Sequence, residues 1–324
     1  MKKAPAPERA KRHTQGHYTT ASTYGERLDA IRDALLNTGI EPANMDALLS
    51  RLTDGQITRT GTASKPNSKN LWLIAYHDRG LPFVVIAGDW ATGTELKWIA
   101  QTGDTLTEAE RRELKRRIAD AKLARETEQA RQWEQAAARA AQRWHKCTPA
   151  NPTHGYLQSK GIQPHSARQQ GHELVLLLTD FSGKAWSLQT IDEAGNKRLM
   201  AGGKKARHFI VVNAPDYPAR ILICEGYATG CTLAEIDPAA LVLAAIDCGN
   251  LRAVATGARN RWPDADLIVC GDDDRQTEGN PGVTAARAAA IAAGARYALP
   301  EWPDEAPLTL SDFNDLHQWQ RGQL

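Results

Sequence analysis

Hydrophobic and polar positions change rhythm several times along the chain of 324 residues. In residues 23–52, Leu28, Ile31 and Leu35 recur at helical spacing, which predicts an amphipathic helix that the glycine of NTG ends. Residues 55–100 contain two apolar runs separated by HDRG, the pattern of a β-hairpin. The first hundred residues therefore predict a small α+β module.

A long polar segment follows this module. From Glu108 to Lys146 the chain is rich in Ala, Arg and Glu and contains neither Gly nor Pro, while Thr107 and Glu110 have capping-box spacing. A continuous helix of this length extends about 58 Å. Its apolar face is thin, so we expect a connecting helix, which is either a solvated spacer or docked on nucleic acid through its basic residues.

The second half of the chain changes from a β pattern to an alternating one. Residues 172–212 contain apolar or alternating runs with turns at DFSG and DEAGN. In residues 220–299 the apolar runs RILIC, ALVLAAI and DLIVC each precede a helical pattern. Apolar strands that alternate with helices predict a parallel sheet covered by helices on both faces.

These rhythms predict five segments. They are a flexible basic lead-in over 1–22, an α+β module over 23–103, a long connecting helix over 104–147, a β-rich subdomain over 148–213 and an α/β domain over 214–324.

Composition narrows the class of protein. A hydrophobic fraction of 42% and a charged fraction of 24% are typical of globular proteins. No apolar run is long enough to cross a membrane, and the first residues lack the apolar core of a signal peptide, so we expect a cytoplasmic protein. None of the five cysteines forms a CxxC pair, which disfavours a disulfide framework and a zinc ribbon.

Charge is unevenly distributed. Residues 1–150 carry 24 Lys and Arg against 18 Asp and Glu, and residues 151–210 carry 8 against 4. Residues 211–324 carry 8 against 16. Basic stretches before an acidic unit suit a polyanionic substrate held with divalent cations, although ordinary scatter of surface charge gives the same totals.

Carboxylates follow the predicted parallel strands where each strand ends. Glu225 ends the first, Asp247 the second, and Asp272, Asp273 and Asp274 the third. These ends meet at one edge of a parallel sheet. Because neighbouring residues of an extended chain point to opposite sides, Asp272 and Asp274 share a side and Asp273 faces away. Oxygen ligands of this kind favour Mg²⁺ or Mn²⁺. Aspartates that only cap helices or make turns are the alternative.

The residues at these strand ends resemble a known family. ILICEGYATGCTLAE and LIVCGDDDRQTEGNPG are similar to the Toprim domain, which bacterial-type primases, topoisomerases and some nucleases share. The wording EGYATG, GDDDRQTEGNPG and SDFNDL resembles the Toprim primases of conjugative plasmids, satellite phages and other mobile elements. GYLQSKGI and the β-rich segment after it resemble the subdomain that precedes Toprim in those primases. The likeness covers about residues 145–318, with a weaker echo at 28–100.

The resemblance implies a DNA primase that makes short RNA primers on single-stranded DNA for replication or conjugative transfer of a plasmid or phage-like element. Asp272 and Asp274 are then expected to carry Mg²⁺ or Mn²⁺, and Glu225 to be a metal ligand or general acid/base. Asp247 and Asp312, which pairs with Asp315 in SDFND, are candidate additional metal groups. SDFND as a helix cap is an equal alternative.

The same resemblance implies a nucleic-acid surface and separate partners. Phosphate contacts are expected from basic residues of the β-rich segment, namely Lys184, Lys197, Arg198, Lys204, Lys205 and Arg207. Trp186 is a candidate base-stacking platform or a sheet-face residue, and Arg275 a triphosphate contact or an ion-pair partner. The expected partners are a DNA template, ribonucleoside triphosphates and, because no GxxxxGK[ST] stretch occurs, a helicase supplied as a separate protein.

Departures from the family keep alternatives open. Residues 55–100, where such primases carry a zinc ribbon, contain no cysteine and one histidine, His77, so no zinc is expected. A Toprim nuclease would use the same carboxylates to cleave nucleic acid. A non-catalytic single-stranded-DNA-binding or anti-host factor would leave them without a catalytic role. A topoisomerase needs a tyrosine on a further large domain.

Overall fold

The computed structural model describes residues 15–19, 23–78, 80–89, 92, 94–100, 108–216 and 218–322. The chain divides into two compact units, Met1–Thr127 and Glu128–Leu324. Within the described ranges, no helix combines the length and apolar character needed to span a membrane.

The first unit is an α+β module. Its elements are β1 (Gln15–Thr19), α1 (Tyr24–Asn37), α2 (Met45–Leu49), β2 (Ile57–Thr60), β3 (Leu71–Asp78), β4 (Leu81–Asp89) and β5 (Glu95–Ala100). The strands form one sheet in the order β1-β5-β4-β3-β2, and β1 is the strand that runs parallel to its neighbour.

The sequence explains both main features of this module. Thr23 and Glu26 form a capping box at the start of α1, and Ile31 and Leu35 are fully buried on the face that the periodicity predicts. The predicted hairpin joins β3 to β4, with Gly80 in the left-handed region at φ 79°. The turn expected near Asp89 and Gly93 falls partly outside the described residues.

The predicted long helix is α3 (Glu108–His145). Thr107, its expected cap, lies outside the described residues. In the second unit, Ala136, Ala137 and Ala140 of α3 are buried, and Ala140 packs with Cys147, Val175 and Leu188. Small residues on one face let this end of a largely polar helix lie against the sheet.

The remaining elements belong to the second unit. They are β6 (Thr148–Pro149), α4 (Gly155–Lys160), β7 (Arg168–Gln170), β8 (Glu173–Thr179), β9 (Ala185–Asp192), β10 (Lys197–Leu199), β11 (Phe209–Asn213), β12 (Arg220–Cys224), α5 (Tyr227–Ile236), β13 (Leu241–Ala244), α6 (Cys248–Arg261), β14 (Asp266–Cys270), α7 (Pro281–Ala293), β15 (Arg296–Ala298) and α8 (Phe313–Gln320).

One mixed sheet organises this unit. Its order is β10-β9-β8-β11-β13-β12-β14-β15, and β6 and β7 extend it beside β8. β13, β12, β14 and β15 are parallel, as predicted, whereas β11 joins β13 and β8 in antiparallel fashion. The β-rich and α/β segments therefore share one sheet.

Helices cover both faces of the parallel part. Alternate strand residues enter two separate cores: Leu222 and Val242 belong to one, and Ile221 and Leu243 to the other. α5 and α8 contribute to the first core, and α6 and α7 to the second. The predicted fold class, a helix-flanked α/β sheet preceded by a β-rich part, a long helix and an α+β module, is confirmed. The five segment boundaries stay predictions.

Candidate active site

The parallel strands bring three carboxylates to one edge of the sheet. Glu225 directly follows β12, Asp247 lies three residues beyond the end of β13, and Asp272 follows β14 after one glycine. Because β12 pairs in parallel with both β13 and β14, the carboxyl ends of all three strands face the same way.

An open cavity of about 190 Å³ lies at this edge. Its lining combines acidic, basic and apolar side chains: Tyr156, Lys160, Lys197, Glu225, Gly226, Ala228, Thr229, Ile246, Asp247, Asp272 and Asp312. Glu225, Asp247, Asp272 and Asp312 were expected from the sequence, and the structure brings all four together. We call this cavity the acidic pocket.

Two carboxylates in the acidic pocket are strongly perturbed. Burial, then the nearby charges of Asp274 and Asp247, raise the pKa of Glu225 to about 7. Burial, then the charges of Glu225 and Asp312, raise the pKa of Asp272 to about 8. Low dielectric and like charge both disfavour the ionised form, so these groups hold protons until a cation replaces them.

Hydrogen bonding leaves parts of this pair unsatisfied. Glu225 Oε1 and Asp272 Oδ1 are buried and have no hydrogen-bond partner among the residues that the structure describes. Glu225 does accept a hydrogen bond from the backbone N–H of Cys248, which lowers its pKa against the larger effects of burial and charge. Buried unsatisfied carboxylate oxygens are costly and commonly indicate a missing ion or water.

Asp274 lies at the start of α7. Its Oδ2 accepts from the backbone N–H of Gly282 at 2.9 Å, and its own N–H donates to Asn280 Oδ1 at 2.9 Å. Asn280 caps α7 in the left-handed region at φ 38°, followed by Pro281. The helix N-terminus therefore stabilises the negative charge of Asp274.

Replacing Gly282 by alanine is expected to disturb this loop. The added Cβ would lie 2.4 Å from the carbonyl oxygen of Asp272 and 3.0 Å from Asp274 Oδ2, so the backbone of the carboxylate loop must move. We expect the free energy of unfolding to fall by about 1–3 kcal/mol, measured by denaturant titration. Gly249→Ala is the control: its Cβ meets Asp247 Oδ1 at an ordinary 3.5 Å, and a loss equal to that of Gly282→Ala would contradict the explanation.

Asp247 is paired in the structure. Its Oδ2 accepts from Lys205 Nζ, and it precedes α6 without capping that helix through its side chain. Ile246 before it has φ 80°, a costly conformation for a β-branched residue. This strain turns the chain so that Ile246 lines the acidic pocket and Asp247 follows it.

Asp312 is both a pocket residue and a helix cap. Its Oδ1 accepts from the N–H of Asp315 at 2.9 Å at the start of α8, and its carboxyl also hydrogen-bonds Thr229. Burial, then the charge of Asp315, raises the pKa of Asp312. Asp315 itself accepts from Ser311 N–H at 3.1 Å and pairs with Lys160 at 3.4 Å. The two alternatives for SDFND are therefore compatible.

Asp273 and Arg275 lie differently from Asp272. Both oxygens of Asp273 are engaged: Asn280 Nδ2 donates to one at 2.7 Å and Trp302 Nε1 to the other at 3.2 Å. Arg275 Nη2 donates to the carbonyls of Pro307 at 2.7 Å and Leu310 at 3.0 Å. The structure thus places Arg275 on backbone carbonyls rather than in an aspartate ion pair.

The basic residues expected to bind nucleic acid have several surroundings. Lys184 pairs with Glu134 at 2.7 Å, and both Lys184 and Lys204 lie over the ring of Trp186, at 4.0 and 4.6 Å from its centroid. Trp186 Nε1 donates to Asp180 at 2.7 Å, so its ring is fixed and its faces are in contact with cations.

Asp180 explains this fixed ring. Burial opposes its ionisation, but hydrogen bonds from Ser182, Trp186 and Lys184 outweigh burial and lower the pKa of Asp180 to about 2. Lys197 lines the acidic pocket, whereas Arg198 is exposed on β10. Arg207 is exposed in the left-handed region at φ 70°, with its N–H bound to Asn250.

Four pocket residues were not predicted from the sequence. Tyr156 and Lys160 come from α4, Thr229 from α5 and Ile246 from the turn after β13. Tyr156 OH is buried without a hydrogen-bond partner in the described part of the chain. GYLQSKGI was noticed only as part of a resemblance. Nothing in that stretch indicates that α4 meets carboxylates about 70 residues later.

The donor chemistry fits a hard divalent cation. The acidic pocket offers carboxylate oxygens, two of them buried and unsatisfied, which are the ligands that Mg²⁺ and Mn²⁺ prefer. Over the described residues, no three His, Cys, Asp or Glu side chains are already arranged as a metal-binding group. The fit therefore rests on donor type and unsatisfied oxygens.

Comparison with protein families identifies this arrangement. Residues 220–323 match the family model described as the Toprim domain, and the match includes Glu225, Asp272, Asp274 and Asp312. Residues 220–323 are a Toprim domain. The resemblance that the strand-end carboxylates suggested is thereby confirmed, and the acidic pocket lies at the carboxyl edge of the parallel strands of this Toprim domain.

The similarity to curated relatives extends beyond the Toprim domain. A protein of Escherichia coli named DNA primase TraC is 35% identical over 289 residues, which is 83% of this chain and 27% of the relative. A second Escherichia coli DNA primase TraC is 36% identical over 243 residues, 70% of this chain and 17% of the relative. The chain thus spans about a quarter or less of the relatives it matches.

Solved structures with partial similarity to the chain are also primases. The primase fragment of the bacteriophage T7 primase-helicase protein is 15% identical, with a TM-score of 0.39 over 52% of this chain and 70% of that chain. The E. coli primase catalytic core is 16% identical, with a TM-score of 0.32 over 56% of this chain and 70% of that chain.

Proposed function

We propose that this chain is a DNA primase, which joins ribonucleotides on a single-stranded DNA template through a divalent cation held in the acidic pocket. The relatives named DNA primase support this assignment, since their similarity covers most of the chain. The single observation that carries the chemistry is the buried pair Glu225 and Asp272, whose unsatisfied oxygens lie in one pocket beside the Asp274 loop.

The carboxylates and lysines of the acidic pocket have complementary roles in this proposal. A divalent cation bound there would lower the pKa of the attacking 3′-hydroxyl and neutralise charge on the departing pyrophosphate. Glu225 and Asp272 would hold it, with Asp274, Asp312 and Asp247 nearby. Asp247 would do so on leaving Lys205, which then becomes available to a phosphate.

Lys160 and Lys197 supply the positive charge that a triphosphate requires. Both line the acidic pocket, Lys160 from α4 and Lys197 from β10. A flexible ammonium group binds phosphate as a point charge, and two of them next to carboxylates attract a nucleotide that carries its own cation. The proposed partners are accordingly the template, ribonucleoside triphosphates and a helicase from a separate protein, in the context of a plasmid or phage-like element.

A priming assay tests the function directly. The protein is incubated with circular single-stranded DNA, the four ribonucleotides and Mg²⁺ or Mn²⁺, and the products are separated by size. We expect new short oligonucleotides that contain ribonucleotides and disappear with EDTA. Degraded template without new oligonucleotides would establish the nuclease instead. Bound but unchanged DNA under every condition would favour the binding factor.

Exposed basic residues of the β-rich segment are expected to set the salt dependence of template binding. Replacing Arg198 and Arg207 by alanine should weaken binding uniformly across sequences. The slope of log K against log[salt] should become shallower by about 0.7 for each phosphate that the variant no longer neutralises. Fluorescence anisotropy with labelled single-stranded DNA at several salt concentrations measures both. Arg261→Ala, at the far end of α6, is the control, and an equal effect there would contradict a localised surface.

A further inference from the structure

Asp312 reaches the acidic pocket on an irregular stretch of chain. Residues 299–312 connect β15 to α8 and contain neither helix nor strand, with isolated turns at Pro303–Ala306 and Pro307–Leu310. Irregular backbone has little order of its own, so the position of Asp312 depends on what anchors this stretch. We call residues 299–312 the crossing segment.

The middle residue of the acidic triplet is one anchor. The N–H of Asp273 donates to the carbonyl of Ser311 at 2.7 Å, directly before Asp312. The carboxylate of Asp273 accepts from Trp302 Nε1 at 3.2 Å, near the beginning of the crossing segment. Asn280 Nδ2 donates to the other oxygen of Asp273 at 2.7 Å and ties it to the cap of α7.

Arg275 holds the part of the crossing segment between these contacts. Its Nη2 donates to the carbonyls of Pro307 and Leu310, at 2.7 and 3.0 Å. Its guanidinium lies 4.4 Å from the ring centroid of Trp302. A planar group that stacks on an indole and donates to two carbonyls fixes three points of the segment at once.

Asp312 therefore lies between two independent attachments. On one side Asp273 and Arg275 hold the crossing segment, and on the other Asn314 donates to Thr232 of α5 at 2.9 Å and to the carbonyl of Lys160 at 2.8 Å. The second attachment positions α8 but leaves the residues before Asp312 unconstrained. The first is needed to fix the backbone through Ser311.

We propose that the acidic triplet divides its labour. Asp272 and Asp274 serve the acidic pocket, whereas Asp273, with Arg275 and Trp302, is a positioning element that holds the crossing segment so that Asp312 completes the cation site. This inference rests on the proposed function for the cation site itself. It explains why a third carboxylate lies between two that already repel each other: Asp273 is neutralised by donors on the opposite side.

Conservative variants separate positioning from folding. Trp302→Phe keeps the ring over Arg275 but removes the N–H to Asp273, and Asp273→Asn keeps the shape but loses one acceptor. Binding of Mn²⁺ alone, without nucleotide or DNA, is measured by electron paramagnetic resonance. We expect both variants to bind Mn²⁺ roughly 10- to 100-fold more weakly, the usual effect of removing a partner that orients a metal ligand. Asp304→Asn, exposed in the same crossing segment, should bind Mn²⁺ as the wild type does.

A double-mutant cycle shows whether the effect passes through Asp312. In an Asp312→Asn background, Trp302→Phe should weaken Mn²⁺ binding little further, because the group it positions is already altered. Hydrogen exchange of the peptide covering 300–312 should be faster in Trp302→Phe than in the wild type. Effects on Mn²⁺ affinity that simply add, or exchange that does not change, would overturn the inference.

The outcomes are distinct from failure of the proposed function. A wild-type protein that binds Mn²⁺ but makes no oligonucleotide would refute priming, while the cycle and the exchange experiment still decide the role of Asp273. A wild-type protein that binds no Mn²⁺ would overturn the positioning of a cation ligand. If Asp273→Asn does not fold, Trp302→Phe, which retains the stacked ring, decides the matter.

Discussion

Asp272→Asn is expected to abolish priming and at the same time to make the metal-free protein more stable. The carboxyl of Asp272 is buried beside Glu225 and Asp312, and its pKa of about 8 shows that its charge is costly in this position. An amide of the same shape carries no charge, so the repulsion within the acidic pocket falls. Loss of function with a gain in stability is the expected sign of a residue kept for chemistry.

The size of the activity loss follows from what the carboxylate supplies. Removing one preorganised electrostatic contact from an active site commonly costs about 10²–10³-fold in turnover, and a cation ligand should cost at least that. Oligonucleotide yield at saturating nucleotide and Mg²⁺ measures the loss. Thermal unfolding in EDTA measures the gain in stability.

Asp266→Asn is the matched control, because it lies on the same strand at the opposite edge of the sheet. Hydrogen bonds from Arg296, against a small effect of burial, and then from Arg220 lower the pKa of Asp266. Its replacement should therefore lower stability slightly and leave priming unchanged. Greater stability of Asp266→Asn, or lower stability of Asp272→Asn, would contradict this electrostatic account.

The sequence predicts the position of the central carboxylates because local rules determine it. Apolar strands alternating with helices require a parallel sheet, and a parallel sheet places Glu225, Asp247 and Asp272 at one edge. The helices after these strands begin where glycine, aspartate or proline allows, at Gly226, Asp247 and Pro281. Each step needs only a few neighbouring residues.

Other features depend on contacts between distant parts of the chain, which no local pattern encodes. Lys184 pairs with Glu134, 50 residues away, so the charge of this lysine is partly neutralised by α3. The alternation of facing places Asp273 opposite Asp272, but its partner Trp302 lies 29 residues further along. The continuity of the sheet through β11 likewise depends on a non-local antiparallel pairing with β13.

The raised pKa values of Glu225 and Asp272 predict that the metal-free protein becomes less stable as pH rises. In the unfolded chain these groups lose their protons near their ordinary values of 4.5 and 3.8, whereas in the folded protein they keep them to about pH 7 and 8. Between about pH 4 and pH 8 the folded state therefore binds more protons than the unfolded state, so the free energy of unfolding decreases with pH.

Other groups act in different intervals or with the opposite sign. The lowered pKa of Asp180 changes stability only in acid, below the ordinary aspartate range. Burial lowers the pKa of His208, which makes stability rise with pH near the ordinary histidine value. A comparison of the wild type with the Glu225→Gln/Asp272→Asn double variant removes these shared contributions and isolates the carboxyl pair.

Divalent cations should reverse this trend, because they take the place of the protons. Each proton that binding displaces makes the affinity for Mg²⁺ rise about tenfold per pH unit below the pKa of the group. The difference in melting temperature between excess Mg²⁺ and EDTA should thus grow from about pH 6 to about pH 8 in the wild type and be absent in the double variant. Melting curves that run parallel for the two proteins in EDTA, with a Mg²⁺ effect independent of pH, would show that the carboxyl pair is neither protonated in the folded protein nor the cation site.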